Sequence, residues 1–149
     1  PVRYDPVDWA GGVNLGSSLP ASGLGSAGTV VQLEKIMVWD PDVILVQGNY
    51  PPSERKVSVE SVLGDRRLKL LGAVRRRNVH YTFGYWYWWD PALVLVETLY
   101  LGRLFHPGLF QGTDLRLSAG AVFEKFYGRK DLFDKLSSVL KCDEWFEGI

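Results

Sequence analysis

Asp40-Pro41-Asp42-Val43-Ile44-Leu45-Val46 is the stretch whose reading sets the fold class. Val43 to Val46 is wholly apolar and rich in β-branched residues, the composition of a strand buried on both faces, and such strands belong to parallel sheets in α/β folds. Asp40 before Pro41 closes the element upstream, because a residue preceding proline is pushed out of the α region. That upstream element is a short helix over Val30 to Trp39, with Val30, Val31, Leu33, Ile36, Met37 and Val38 spaced around Glu34 and Lys35. Downstream, Gln47 to Lys56 contains Gly48, Asn49, Pro51 and Pro52, so the strand opens into an irregular loop at its carboxyl end.

Past that loop, Val59, Val62, Leu63, Leu68, Leu70 and Leu71 mark a helix with an imperfect stripe, interrupted at Gly64-Asp65 and capped by Ser58. Arg75-Arg76-Arg77-Asn78 leads into a second strand, Val79-His80-Tyr81-Thr82-Phe83. Strand, helix, strand makes a βαβ unit with a right-handed crossover. Its loops at Gly48 to Ser53 and Gly84 to Asp90 therefore open on one side, where α/β sheets take their ligands.

The second of those loops holds Tyr85, Trp86, Tyr87, Trp88 and Trp89 in succession. Asp90-Pro91 then reads as an N-cap with proline in the first helical turn. The aromatics are candidates for ligand contact, and a packed hinge or subunit contact is the competing reading, since aromatic side chains dominate cores as well as interfaces. The following helix, Pro91 to Phe105, is apolar on nearly every face and has to be covered by the fold or by a partner. His106-Pro107-Gly108 ends it. A further helix spans Leu115 to Tyr127 with Leu115, Val122, Phe123 and Phe126 inward and Gly128 as its stop. Asp131 caps a last one carrying Leu132, Phe133, Leu136, Val139 and Leu140.

Ahead of all this, Pro1 to Gly28 is rich in glycine, serine and proline and reads as a loop-rich entry, with Asp8 to Leu15 as the end of a short helix closed by glycine. Neither a GxxxxGK[ST] nor a post-strand GxGxxG is present, so a phosphate cradle is not indicated there. The opening Pro1-Val2-Arg3-Tyr4 has no initiator methionine and no signal-peptide pattern, so a processed or trimmed piece of something longer is expected.

At 149 residues the chain is one domain by length, and 46% hydrophobic with 23% charged residues is a globular balance. Lysine plus arginine equals aspartate plus glutamate at 17 each, which argues against nucleic acid or an anionic membrane as a general partner. The charge is uneven: Arg55, Lys56, Arg66, Arg67, Lys69, Arg75, Arg76 and Arg77 face only Glu60 and Asp65 within their own stretch, a solvated helix face or an anion site. The single Cys142 makes no internal disulfide. His80 in a strand and His106 before a proline read as structural or surface residues, and no metal-ligand pairing, catalytic triad or cofactor motif emerges. An enzyme is not expected.

Taken in order, Ala10-Gly11-Gly12-Val13-Asn14, Val31 to Ile36, Trp39 to Leu45, Ala73-Val74 to Tyr81, Trp88-Trp89-Asp90-Pro91, Leu104 to Phe110 and Phe123 to Gly128 resemble the substrate-binding proteins of ABC importers for iron-siderophore, haem and cobalamin. These are the class III, helical-backbone binding proteins. The resemblance runs from about Asp8 to Gly128 and covers only a C-terminal lobe; the N-terminal lobe and the connecting helix have no counterpart. It implies a small, mainly parallel sheet flanked by helices, the C-terminal lobe of a two-lobed periplasmic binding protein.

It implies a ligand held between lobes, walled here by Leu24 to Thr29, by Asn49 and Tyr50 with the loop to Ser53, and by Tyr85, Trp86, Tyr87, Trp88 and Trp89. The ligand would be an iron complex, siderophore or related chelate, with cobalamin, haem or a carbohydrate stacked on the same aromatics as the alternative. It implies docking of Glu34 on the permease, for which a solvated first-turn glutamate is the plain reading. It places the protein outside the cytoplasmic membrane, periplasmic or extracellular and membrane-associated. A third reading is a fragment that binds nothing and pairs as a homodimer through Pro91 to Phe105.

Overall fold

The computed structural model describes residues 3–20, 29–84 and 90–149. The chain opens with helix α1 (Asp5–Trp9) and, past a single-turn helix at Leu15–Ser18, reaches α2 (Leu33–Trp39). The stretch Val30 to Gln32 stays outside α2, whose start has no side-chain cap; β-branched Val30 and Val31 add little to hold an uncapped first turn. Asp40 closes α2 in the left-handed conformation, with φ of 39°, and its Oδ1 accepts the Gly72 N–H at 2.6 Å. Strand β1 (Ile44–Gln47) follows and pairs in parallel with β2 (Val79–Thr82), in a register running from Ile44 beside Val79 to Gln47 beside Thr82.

The crossover between the strands is α3 (Val59–Gly64) and α4 (Gly72–Arg75). Ser58 and Ser61 cap α3 reciprocally, each side-chain oxygen accepting the other residue's N–H at 3.1 and 2.9 Å. The expected interruption at Gly64-Asp65 is a full stop. Asp65 to Leu71 proceeds by turns, so the one imperfect stripe belongs to two short helices rather than one.

After Asp90 come α5 (Pro91–Phe105), a single turn at Pro107–Phe110, α6 (Leu115–Tyr127), α7 (Asp131–Leu140) and α8 (Asp143–Glu147). The fold is mixed α/β: a two-stranded parallel sheet flanked by helices on both faces. One face carries Ile44, Val46 and Val79 against Ile36, Met37, Leu71 and Val74. On the other, Leu45 and Phe83 join a larger core of Tyr4, Leu93, Val96, Tyr100, Phe123, Phe133, Trp145 and Phe146. Tyr81 touches both.

Several expectations are corrected here. In β1 only Val46 is fully buried, because a two-stranded sheet leaves each strand an open edge. Phe126 is 46% exposed; Leu115, Ala119 and Phe123 form the inward row of α6. Asp131 is the first residue of α7, not its cap, and α7 is followed by α8, whose Trp145 and Phe146 enter the core. The apolar helix α5 packs against α1, α6 and the Pro107–Phe110 turn, burying Ala92, Leu93, Val96, Tyr100 and Leu101, while Leu95 stays exposed. No helix among the described residues is long and apolar enough to cross a membrane.

Candidate functional site

Parallel pairing brings the carboxyl ends of β1 and β2 side by side, and the ladder continues one step further, with Gly48 N–H donating to the Thr82 carbonyl at 2.8 Å. From there the chain leaves β1 through Gly48, Asn49 and Tyr50, and leaves β2 through Phe83 and Gly84. Asn49 is 3% exposed and Tyr50 is 42% exposed, so one candidate is part of the wall and the other faces out. A Cβ on Gly48 would stand 2.7 Å from the Trp145 ring, so the indole packs directly on the backbone at this edge. Gly84 takes φ of +65°, a conformation that favours glycine and turns the chain sharply away from β2.

Beneath the edge lies a buried polar cluster. Glu97 on α5 is 1% exposed in an otherwise apolar core. Its carboxylate accepts hydrogen bonds from the Thr82 hydroxyl and, at 2.7 Å, from the Phe83 N–H. The Tyr4 hydroxyl joins Thr82 Oγ1 at 2.9 Å and also reaches Glu97. Burial pushes the Glu97 carboxyl up to about 7 from the ordinary 4.5, although its three hydrogen-bond partners pull the other way. Burial first, and then the nearby Glu97 charge, push both the Tyr4 and Tyr100 phenols well above the usual range.

At the rim, Arg55 lies half-buried. Its Nε donates to the Tyr50 carbonyl at 3.0 Å, and its Nη2 donates to the carbonyls of Gly48 at 3.3 Å and Leu140 at 2.5 Å. The guanidinium carbon stands 4.4 Å from the Tyr81 ring centre and 5.4 Å from that of Trp145, which are themselves stacked at 5.3 Å. The Tyr81 hydroxyl accepts the Val59 N–H at 3.2 Å and donates to Glu60 at 3.4 Å, tying β2 to the start of α3. Across the site, Asp90 caps α5 by accepting the Leu93 N–H at 2.8 Å and receives the Tyr127 hydroxyl at 2.5 Å.

The structure therefore brings Asn49 and Tyr50 together at the sheet edge. Glu34 is exposed on the first turn of α2. Tyr85, Trp86, Tyr87, Trp88 and Trp89, and the Leu24 to Gly28 part of the expected loop, lie outside the described residues. Sequence reading missed Arg55, Glu97 and Trp145. A lone glutamate inside an apolar helix was a visible signal for Glu97. Arg55 was hidden in a run of basic residues that are otherwise exposed, such as Arg67 paired with Asp65 and Arg76 paired with Asp42.

His80 is structural, its Nε2 being 2.8 Å from Asn78 Oδ1, and burial lowers its affinity for a proton. Among the described residues no group of three or more His, Cys, Asp or Glu is placed to hold a metal ion.

No family model matches the chain, and no solved structure matches it. Molybdate-binding protein MolA of Haemophilus influenzae is 32% identical to it over 101 residues, an alignment covering 65% of this chain and 27% of that protein. The chain thus spans about a quarter of the length of the curated relative it matches. Over most of its own length it is similar to part of a protein named for binding molybdate.

Proposed function

We propose that this chain is the C-terminal lobe of an extracytoplasmic solute-binding protein serving an ABC importer, and that its ligand is an oxyanion of the molybdate kind. The observation that carries this reading is the 32% identity to a molybdate-binding protein. The parallel sheet supports it, because both strand ends open on one edge beside a half-buried arginine. In this reading the lobe does no chemistry. It walls one side of a cleft whose other side is an N-terminal lobe, and Asn49, Tyr50 and the aromatics Tyr85 to Trp89 form the wall. Glu34, exposed on the first turn of a short helix, docks on the permease.

An iron complex, or another flat chelate such as haem or cobalamin, is the second reading. Five consecutive aromatics favour it, because rings stack on extended apolar ligands better than on a small anion.

The two are separated by titrating intrinsic Trp fluorescence with molybdate, a ferric siderophore, haem and cobalamin. The chain and an N-terminally extended version are compared. Saturation by molybdate supports the first reading. Saturation by a chelate, lost on Trp88→Ala and Trp89→Ala, replaces it with the second. No response from either protein removes both.

A further inference from the structure

We propose that Arg55 is the residue of this lobe that contacts the oxyanion, an assignment that rests on the oxyanion reading above. A guanidinium has five N–H donors and keeps its charge at any physiological pH. Three of the five are used on the carbonyls of Tyr50, Gly48 and Leu140, through Nε and Nη2. The two on Nη1 have no partner among the described residues.

All three acceptors are neutral, and no carboxylate of the described residues lies within 4.0 Å of Arg55. Glu60 is near enough to feel the charge, yet it is exposed and does not pair with it. The cation is therefore fixed in place by carbonyls and two rings while its charge stays unneutralised. This contrasts with Arg67, Arg76, Arg116 and Arg129, each of which is paired with an aspartate.

Its position completes the case. Two of its acceptors, Gly48 and Tyr50, belong to the segment that leaves β1 at the sheet's carboxyl edge, and its ring platform is Tyr81 of β2. A pre-oriented pair of N–H donors on an unneutralised guanidinium suits an anion with several equivalent oxygens. Pre-orientation also spares the ligand the ordering of a long side chain.

The test follows the Arg55 guanidinium directly by side-chain ¹⁵N NMR of the unmodified chain during titration with sodium molybdate, with sodium chloride at matched ionic strength as the control. Binding is then measured for Arg55→Gln and Arg55→Lys. A saturable Arg55 shift with molybdate alone, with Arg55→Gln weakening binding roughly ten- to a hundredfold and Arg55→Lys less, supports the assignment. Molybdate binding with an unmoved Arg55 resonance overturns the assignment and leaves the oxyanion reading standing. Absence of molybdate binding by both the unmodified chain and its N-terminally extended version overturns both. Should Arg55→Gln fail to fold, the resonance of the unmodified chain decides alone.

Discussion

Glu97 Oε2 accepts the backbone N–H of Phe83 at 2.7 Å, so a carboxylate from the middle of α5 pins the end of β2 at the point where the chain turns toward the aromatic segment. With the Thr82 hydroxyl on its other oxygen, Glu97 couples helix, strand and, through Tyr4, the N-terminal entry.

The pH dependence of stability follows. The folded-state value of Glu97, about 7, lies above its ordinary 4.5, so the folded protein favours the protonated acid. That stabilisation is complete below pH 4.5 and is lost as pH rises through 7, a change of roughly 3 kcal/mol. Glu97→Gln mimics the protonated form, with its amide donating to Thr82 and its carbonyl accepting from Phe83. Urea unfolding should show a variant about as stable as the parent at pH 4.5, more stable at pH 8, and nearly flat between. Glu97→Leu leaves the Phe83 N–H buried without an acceptor and should cost about 1–3 kcal/mol at pH 4.5.

Gly48 allows the Trp145 indole to rest on the sheet edge, since a Cβ there would come within 2.7 Å of the ring. Gly48→Ala should displace the indole from its contacts with Tyr81 and Phe83 and destabilise the chain by about 1–3 kcal/mol. Thermal unfolding gives the loss, and a red-shifted Trp emission would place it at Trp145.

The Asp90 carboxylate, hydrogen-bonded to Tyr127, raises that phenol to about 12. Asp90→Asn retains an N-cap acceptor but removes the charge. By NMR of the ring carbons, Tyr127 should then titrate closer to the ordinary 10.0, with a stability change of less than about 1 kcal/mol.

What the sequence made legible was local. The apolar run at Val43 to Val46, the Ser58 and Asp90 caps and the Gly128 stop each declare themselves within a few residues, and each is present. What it hid depends on residues far apart. Arg55 reads as one of eight basic residues until the Leu140 carbonyl, Tyr81 and Trp145 are brought to it. Helix α8 is too short to show a period, and Trp145 gains its role only by packing against Gly48. Phe126 reads as inward from its apolar identity, but the helix face that buries Phe123 leaves it outside. The burial of Asn49 gave no sign at all in a loop of glycine and prolines.

Glu34 is exposed on the first turn of α2. Glu34→Lys should leave ligand affinity of the binding protein unchanged while lowering permease-dependent uptake at least roughly tenfold, the loss of a charge pair with a like charge in its place. Equal uptake by the variant would reduce Glu34 to a first-turn glutamate favouring its helix dipole.

The most direct measurement is equilibrium dialysis of the chain and of its N-terminally extended, two-lobed version against sodium molybdate in a buffer with excess sulfate, read as molybdenum retained per chain. On the oxyanion reading the two-lobed version retains molybdenum saturably, approaching about one per chain, and releases it on return to molybdate-free buffer. No retention above the solvent level by either protein at any molybdate concentration would contradict it.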